Sequence, residues 1–299
     1  MQKCAGLFYF CANFLWCLFC LYTYNLLAKT TSKITIKCYT IHKMIKVENL
    51  YKAFGSKQVL TGVNLEVKDG ETLVVIGGSG TGKSILLKNI VGLVKPNKGS
   101  IFIDDIDITK ADRFTLYDVQ KKMGYLFQES ALFDSLTIEE NVAFGVRNLT
   151  KLTEPEIKER VKLCLGMVGL NDIEHLKPSA ISGGMKKRVG LARAIAYQPK
   201  YVFYDEPTTG LDPIMSDVIG SLIMHLKKEL KITSIVVTHD MQSAYKIADR
   251  ILMLYQGKII FNGTVNEVKN TKNEYVKQFV EGLREGPIPV EMSFNFEEK

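Results

Sequence analysis

The sequence predicts an α/β fold: a mostly parallel sheet, an antiparallel β subdomain near its start and an α-helical subdomain inserted in its middle. Three observations lead there. The apolar run Thr72-Leu73-Val74-Val75-Ile76 passes through a glycine-rich turn into a helix-like run over 85–91, the alternation of strand and helix that marks a parallel core. Two more strand-like runs, 201–204 and 234–238, end in Asp205-Glu206 and His239-Asp240. Residues 136–176 turn helical, with Ile157, Val161, Leu165 and Val168 at helical spacing. Ligands of parallel sheets gather at the C-terminal ends of the strands, so these polar strand ends mark one site.

At 299 residues and 46% hydrophobic content the chain can form one large or two modest domains with a substantial core. A net charge of +7 is mild and the basic residues are dispersed, so charge selects no partner class. Five of the six cysteines fall within the first 38 residues, leaving Cys164 alone. That is neither a disulfide framework nor a zinc pattern, and the Cys17/Cys20 pair lies in an uncharged apolar run.

Residues 5–28 carry no charge, long enough to span a bilayer. Lys3 precedes them, and Lys29, Lys33, Lys37 and Lys43 follow, which would leave the next domain cytoplasmic. Composition changes at Met44, so the extension 1–43 reads either as an anchor or, preferably, as sequence upstream of a start at Met44. The folded domain is expected over 45–282, with its helical insert at about 112–180, and a tail over 283–299.

Within that domain, residues 45–48 and 59–67 read as strands. Val63, Leu65 and Val67 alternate with Asn64 and Glu66, the pattern of a half-buried antiparallel strand. The connection 51–55 contains Tyr51 and Phe54. Phe54 is the first choice for an aromatic that stacks on a base and Tyr51 the second, although core packing is the commoner fate of such residues. Asp69-Gly70 turns the chain into the Thr72 strand. A turn at 96–99 and a strand at 101–103 follow, then a strand over 123–127 that ends beside Gln128. Thr153-Glu154-Pro155-Glu156 starts a helix. Ser182-Gly183-Gly184-Met185 opens another, whose Val189, Ala192 and Ala196 face inward. Lys186, Lys187 and Arg188 crowd its first turn against the helix dipole, so that end is expected to receive an anion. Runs at 251–255 and 258–261 form a hairpin across Gln256-Gly257. Gly286-Pro287-Ile288-Pro289 is neither helix nor central strand.

The glycine-rich turn, Gly77-Gly78-Ser79-Gly80-Thr81-Gly82-Lys83-Ser84, fits G-x-x-x-x-G-K-[ST] at every fixed position, with the strand and helix that motif needs. Its glycines aim backbone N–H groups at phosphate oxygens, and the helix N-terminus adds positive potential. Lys83 can reach the β- and γ-phosphates and Ser84 can ligand Mg²⁺. The chain is therefore expected to bind a nucleoside triphosphate. Asp205 is placed to hold the metal shell, and Glu206 to polarise a water in line with the γ-phosphate.

Together these elements resemble the nucleotide-binding domain of ATP-binding cassette (ABC) transporters over residues 45–282. The resemblance rests on the phosphate loop, Gln128 as the Q-loop glutamine, Ile181-Ser182-Gly183-Gly184-Met185 as the L-S-G-G-Q signature, Asp205-Glu206, Gly210-Leu211-Asp212-Pro213 as the D-loop, and His239 as the switch histidine. It implies a P-loop NTPase core of ABC type and ATP hydrolysis with Mg²⁺. Glu206, His239 and Gln128 would be catalytic, and Ser84, Gln128 and Asp205 would serve the metal. Ser182, Gly183 and Gly184 of one copy would close over the ATP of another, in a head-to-tail homodimer. Met185, the run 182–196, the segment 131–137 and the 286–289 ending resemble the ATPase subunit of Mla-type phospholipid transport systems. Those pair with an integral-membrane permease and an MCE-domain substrate-binding protein, which implies a position on the cytoplasmic face of the inner membrane. Two alternatives stand beside this: the ATPase of an importer for a polar solute such as an amino acid, and a non-transport cassette acting on nucleic acid. The second is disfavoured by the single cassette without a basic, aromatic-rich arm, so no nucleic-acid partner is expected.

Overall fold

The structure, a computed structural model, describes residues 45–289; the apolar extension, the change at Met44 and the end of the tail lie outside the described residues. Two sheets organise the chain. In the first, β1 (Ile45–Phe54), β2 (Lys57–Val67), β4 (Lys98–Ile103) and the short β5 (Ile106–Asp107) are ordered β2-β1-β4-β5 and paired antiparallel. The second runs β10-β9-β3-β8-β7-β6. It comprises β3 (Thr72–Ile76), β6 (Met123–Leu126), β7 (Tyr201–Asp205), β8 (Thr233–Val237), β9 (Arg250–Tyr255) and β10 (Lys258–Gly263). All its pairings are parallel except the β9–β10 hairpin.

Strands β3, β7 and β8 are buried along their whole length, which is why they read as unbroken apolar runs. In β2, Val63, Leu65 and Val67 are buried while Asn64 and Glu66 are exposed, as the alternation predicts. One expectation fails at the start. The 51–55 connection is mostly strand, because β1 continues to Phe54, pairs Phe54 with Lys57, and turns on Gly55 at φ 57°. A two-residue turn with a left-handed glycine closes a hairpin tightly, so aromatic Tyr51 and Phe54 join the ladder. Core packing fails for both as well: Tyr51 is 39% exposed and Phe54 50%.

Nine helices punctuate the sheets among the described residues: α1 (Lys83–Ile90), α2 (Arg113–Gln120), α3 (Ile138–Leu149), α4 (Glu154–Met167), α5 (Gly183–Ile195), α6 (Pro213–Leu230), α7 (Met241–Ile247), α8 (Val265–Lys269) and α9 (Glu274–Glu281). The segment 112–180 holds α2, then edge strand β6, then α3 and α4. Thr137 caps α3 in a capping box with Glu140, satisfying backbone N–H groups that the helix leaves free. Buried Asn141 ties α3 to the loop before it: Phe133 N–H donates to its Oδ1 at 2.8 Å and its Nδ2 donates to Thr137 O at 2.9 Å.

The large sheet divides two cores. One, with Leu86, Leu87, Ile90, Tyr201 and Phe203, lies towards the antiparallel sheet and α1. The other, with Val142, Val161, Leu165, Val189 and Ile195, joins the sheet to α3, α4 and α5. Each such buried aliphatic side chain contributes roughly 1.5–3 kcal/mol, and both faces of the sheet are covered. No helix among the described residues is long and apolar enough to cross a membrane.

Candidate active site

The C-terminal ends of β3, β7 and β8 bring the predicted side chains together. The loop after β3 needs its glycines: a Cβ at Gly77, where φ is 150°, would lie 2.3 Å from Leu254 O. Gly82, at φ 101°, would put a Cβ 2.9 Å from Val59. The loop is thereby pressed onto β2 and β9, and Ser79 and Gly80 form its exposed crest. No side chain caps α1, whereas Asp112, Thr137, Ser182, Asp212 and Asp240 cap α2, α3, α5, α6 and α7. The α1 N-terminus also carries no acidic residue in its first turn, which leaves its N–H groups to an external anion.

Lys83 lies folded across the loop. Its Nζ donates to Gly77 O and Gly78 O, each at 2.9 Å, and stands 3.7 Å from Glu206 Oε1. Thr81 Oγ1 donates to Gly78 O at 2.9 Å. Burial lowers the Lys83 pKa, while Glu206 and Asp205 pull it back up. Ser84 Oγ donates to Asp205 Oδ1 at 2.7 Å, and the Tyr125 hydroxyl donates to Asp205 Oδ2 at 3.0 Å. Ser84 and Asp205 offer hard oxygens side by side, a fit for Mg²⁺, which keeps several waters and shares substrate phosphates instead of filling a protein cage.

Glu206 lies just past β7 with its backbone in the left-handed region, φ 50°, and its N–H donates to Val237 O at 2.9 Å. A non-glycine residue there costs about 1–2 kcal/mol and turns the side chain sharply away from the strand direction. Its Oε2 accepts from Thr209 Oγ1 at 3.1 Å and lies 2.9 Å from His239 Nδ1. Glu206 is buried, but the His239 side chain is 58% exposed. A cleft of about 310 Å³ opens there, lined by Thr208, Thr209, Gly210, His239 and Asp240 among others.

Three predicted groups stand apart from this cluster. The Gln128 side chain is exposed and makes no hydrogen bond among the described residues; its carbonyl instead accepts from Lys187 Nζ. Ser182 is exposed, and its Oγ caps its own helix, accepting from Met185 N–H at 3.3 Å. Gly183 and Gly184 form the first turn of α5, with Gly184 beside Met215 and Leu211, so no hydrogen bond links the signature to the phosphate loop of the same chain. Phe54 sits at the β1–β2 tip with Lys52 Nζ 4.9 Å from its ring centre. Val59 of the same hairpin touches Gly82.

Two of the three cations in the first turn of α5 do not face the helix end. Lys187 is buried, and its ammonium points inward to the carbonyls of Gln128 and Glu206. Arg188 turns to Val168 O and Gly169 O at 3.3 and 3.0 Å. Carbonyls, not an external anion, draw both side chains, because buried C=O groups need donors. Sequence reasoning also missed Tyr125 and Thr209. Neither belongs to a motif, and only the register of β6 on β7 and the turn after Glu206 bring them in.

Beside Gln128, the edge of β6 opens a groove of about 660 Å³ whose aromatic lining includes Tyr117, Phe127, Phe133, Phe144 and Tyr197. Phe133 and Phe144 are each nearly half exposed, with ring centroids 5.1 Å apart.

Comparison with known proteins identifies the family. The family described as ABC transporter matches residues 60–209. The probable ribonucleotide transport ATP-binding protein mkl of Mycobacterium leprae is 40% identical over 82% of this chain and 70% of its own. The intermembrane phospholipid transport system ATP-binding protein MlaF of Haemophilus influenzae is 42% identical over 82% of this chain and 93% of its own. Among solved structures, the dimeric structure of a bacterial ABC transporter cassette aligns with a TM-score of 0.70 at 34% identity, covering 74% of this chain and 98% of that one.

Proposed function

The chain belongs to the ABC transporter family as an ATP-binding subunit that hydrolyses ATP, and from that premise we propose that it energises phospholipid movement between membranes. One observation carries the substrate reading: the similarity to the phospholipid transport protein MlaF runs over 93% of that protein's length.

In the proposed reaction the Gly77, Gly78, Ser79, Gly80, Thr81 and Gly82 backbone cradles the phosphates, Lys83 neutralises them, and Phe54 stacks on the adenine. Ser84 and Asp205 would hold Mg²⁺, with Gln128 joining from its exposed loop; when bound, the ion would supply charge neutralisation for the reacting phosphate. Glu206 accepts the proton of the attacking water, and its bonds to Thr209 and His239 fix the carboxylate's aim. Neutral His239 carries one N–H, which is given to Glu206 Oε2 here and would turn to the γ-phosphate when ATP is bound. Ser182, Gly183 and Gly184 serve the ATP of a second copy, a reading supported by the exposure of Ser182 and Gly183.

The aromatic groove beside Gln128 suits an apolar helix end of an integral-membrane permease, and an MCE-domain protein would complete the assembly. The groove's position next to Gln128 supports this, since an occupant there bears on a loop that reaches the site. The working position is then the cytoplasmic face of the inner membrane. A mild-detergent pull-down of the full chain tests the proposal. A permease and an MCE-domain protein are expected. A permease with a soluble binding protein for a polar solute would favour the second reading instead, to which the 40% identity with the ribonucleotide transport protein mkl points.

A further inference from the structure

We propose that Tyr125 is a positioning residue for the Asp205 carboxylate, and that it transmits the state of the aromatic groove to the metal site. The proposal rests on Ser84 and Asp205 holding Mg²⁺. The two ends of this side chain lie in different surroundings. Its hydroxyl donates to Asp205 Oδ2 at 3.0 Å while Ser84 Oγ donates to Oδ1 at 2.7 Å, so both carboxylate oxygens are held and the plane of the group is set. Its ring walls the groove and lies against Phe127, with centroids 4.4 Å apart at 43°.

The topology explains the reach. β6 is the edge strand, and Tyr125 is in register with Phe203 on β7, two residues before Asp205. A side chain leaning along the strand from that position spans from the open sheet edge to the buried acid. Phe, Leu or Met there could wall the groove but could not donate. A phenol hydroxyl carries a proton at neutral pH, so it can serve as the donor that the two carboxylate oxygens of Asp205 lack.

Partners behind a ligating carboxylate set its orientation, and losing one typically lowers metal affinity about 10–100-fold. A hydrogen bond at 3.0 Å also tolerates only about half an ångström of lengthening before it is lost. A groove occupant that shifts the ring by that much therefore changes how Asp205 is held. This route is separate from Gln128, whose side chain points to solvent.

The test uses the full chain and a fluorescent mant-ATP probe, with affinity measured in EDTA and the half-saturating Mg²⁺ concentration measured by titration. Tyr125→Phe keeps the ring and removes only the donor. It is expected to leave the EDTA affinity unchanged and to raise the half-saturating Mg²⁺ about tenfold. Phe127→Leu keeps the hydroxyl but frees the ring from the groove side. It is expected to shift the same quantity by a smaller factor and to add nothing on the Tyr125→Phe background. An unchanged Mg²⁺ midpoint in Tyr125→Phe, or an equal loss of affinity in EDTA, overturns the positioning role. Additive shifts in the double variant overturn the link to the groove. Asp205→Asn separates these from the premise: if it leaves the Mg²⁺ midpoint at the parent value, the metal assignment itself fails.

Discussion

Glu206→Gln isolates the charge of one carboxylate without changing its shape. Glu206 is buried, and an amide oxygen can still accept from Thr209, so the substitution leaves no large cavity and no unpaired hydroxyl. What disappears is the proton acceptor and the anion 3.7 Å from Lys83. Loss of a positioned general base lowers turnover about 10²–10⁴-fold. That corresponds to about 2.7–5.4 kcal/mol of transition-state stabilisation. ATP binding moves in the other direction if at all, because Lys83 is released to serve the phosphates alone. The assay pairs steady-state phosphate release with equilibrium binding of ATP. The expected outcome is turnover reduced at least a hundredfold with the dissociation constant within about threefold of the parent. Equal loss of binding and hydrolysis would refute the assignment of Glu206 as base.

Lys83→Ala should weaken ATP affinity at least tenfold in a filter-binding or fluorescence measurement, because it removes a cation that lies across the phosphate loop. Gly124→Ala should lower the urea midpoint by the equivalent of about 1–3 kcal/mol, since its Cβ would meet the backbone Ala194 O at 2.3 Å and force α5 off β6. Asp104 gives a pH signature: burial pushes its pKa up, but hydrogen bonds from Lys200, Tyr201 and Lys122 outweigh that and hold it at about 2. A folded pKa below the unfolded one adds stability above about pH 4 that is lost as pH falls towards 2. The urea midpoint of Asp104→Asn should therefore fall less than the parent's between pH 5 and pH 2.5.

The parallel core was legible because its strands are buried on both faces and write themselves as apolar runs, and because their polar ends carry the reactive residues. Thr72–Ile76 appears with the bounds its sequence indicates, and Thr153 opens α4 in a capping box with Glu156. Less legible was whatever depends on which strand lies beside which. β1 runs on through Tyr51 and Phe54 because a two-residue turn lets them pair with β2, a tertiary fact that local aromatics do not announce. Lys187 and Arg188 looked like anion ligands because spacing gives their position on the helix but not the carbonyls they face. Tyr125 and Thr209 bond to the two acidic residues of the site through register and turn geometry alone. The left-handed backbone of Glu206 is likewise invisible in a sequence that places a glutamate, not a glycine, there.

The central claim is that each chain carries half of two shared ATP sites: a phosphate loop with its acids on one side, and the Ser182 signature for the partner's nucleotide on the other. Sedimentation of the Glu206→Gln chain with Mg²⁺ and ATP tests this most directly. The account predicts the mass of two chains with ATP, the mass of one without it, and reversion to one chain when Ser182→Arg is added, with phosphate-loop affinity retained. A Glu206→Gln chain that binds ATP yet stays a single chain, or a dimer indifferent to Ser182→Arg, would contradict it.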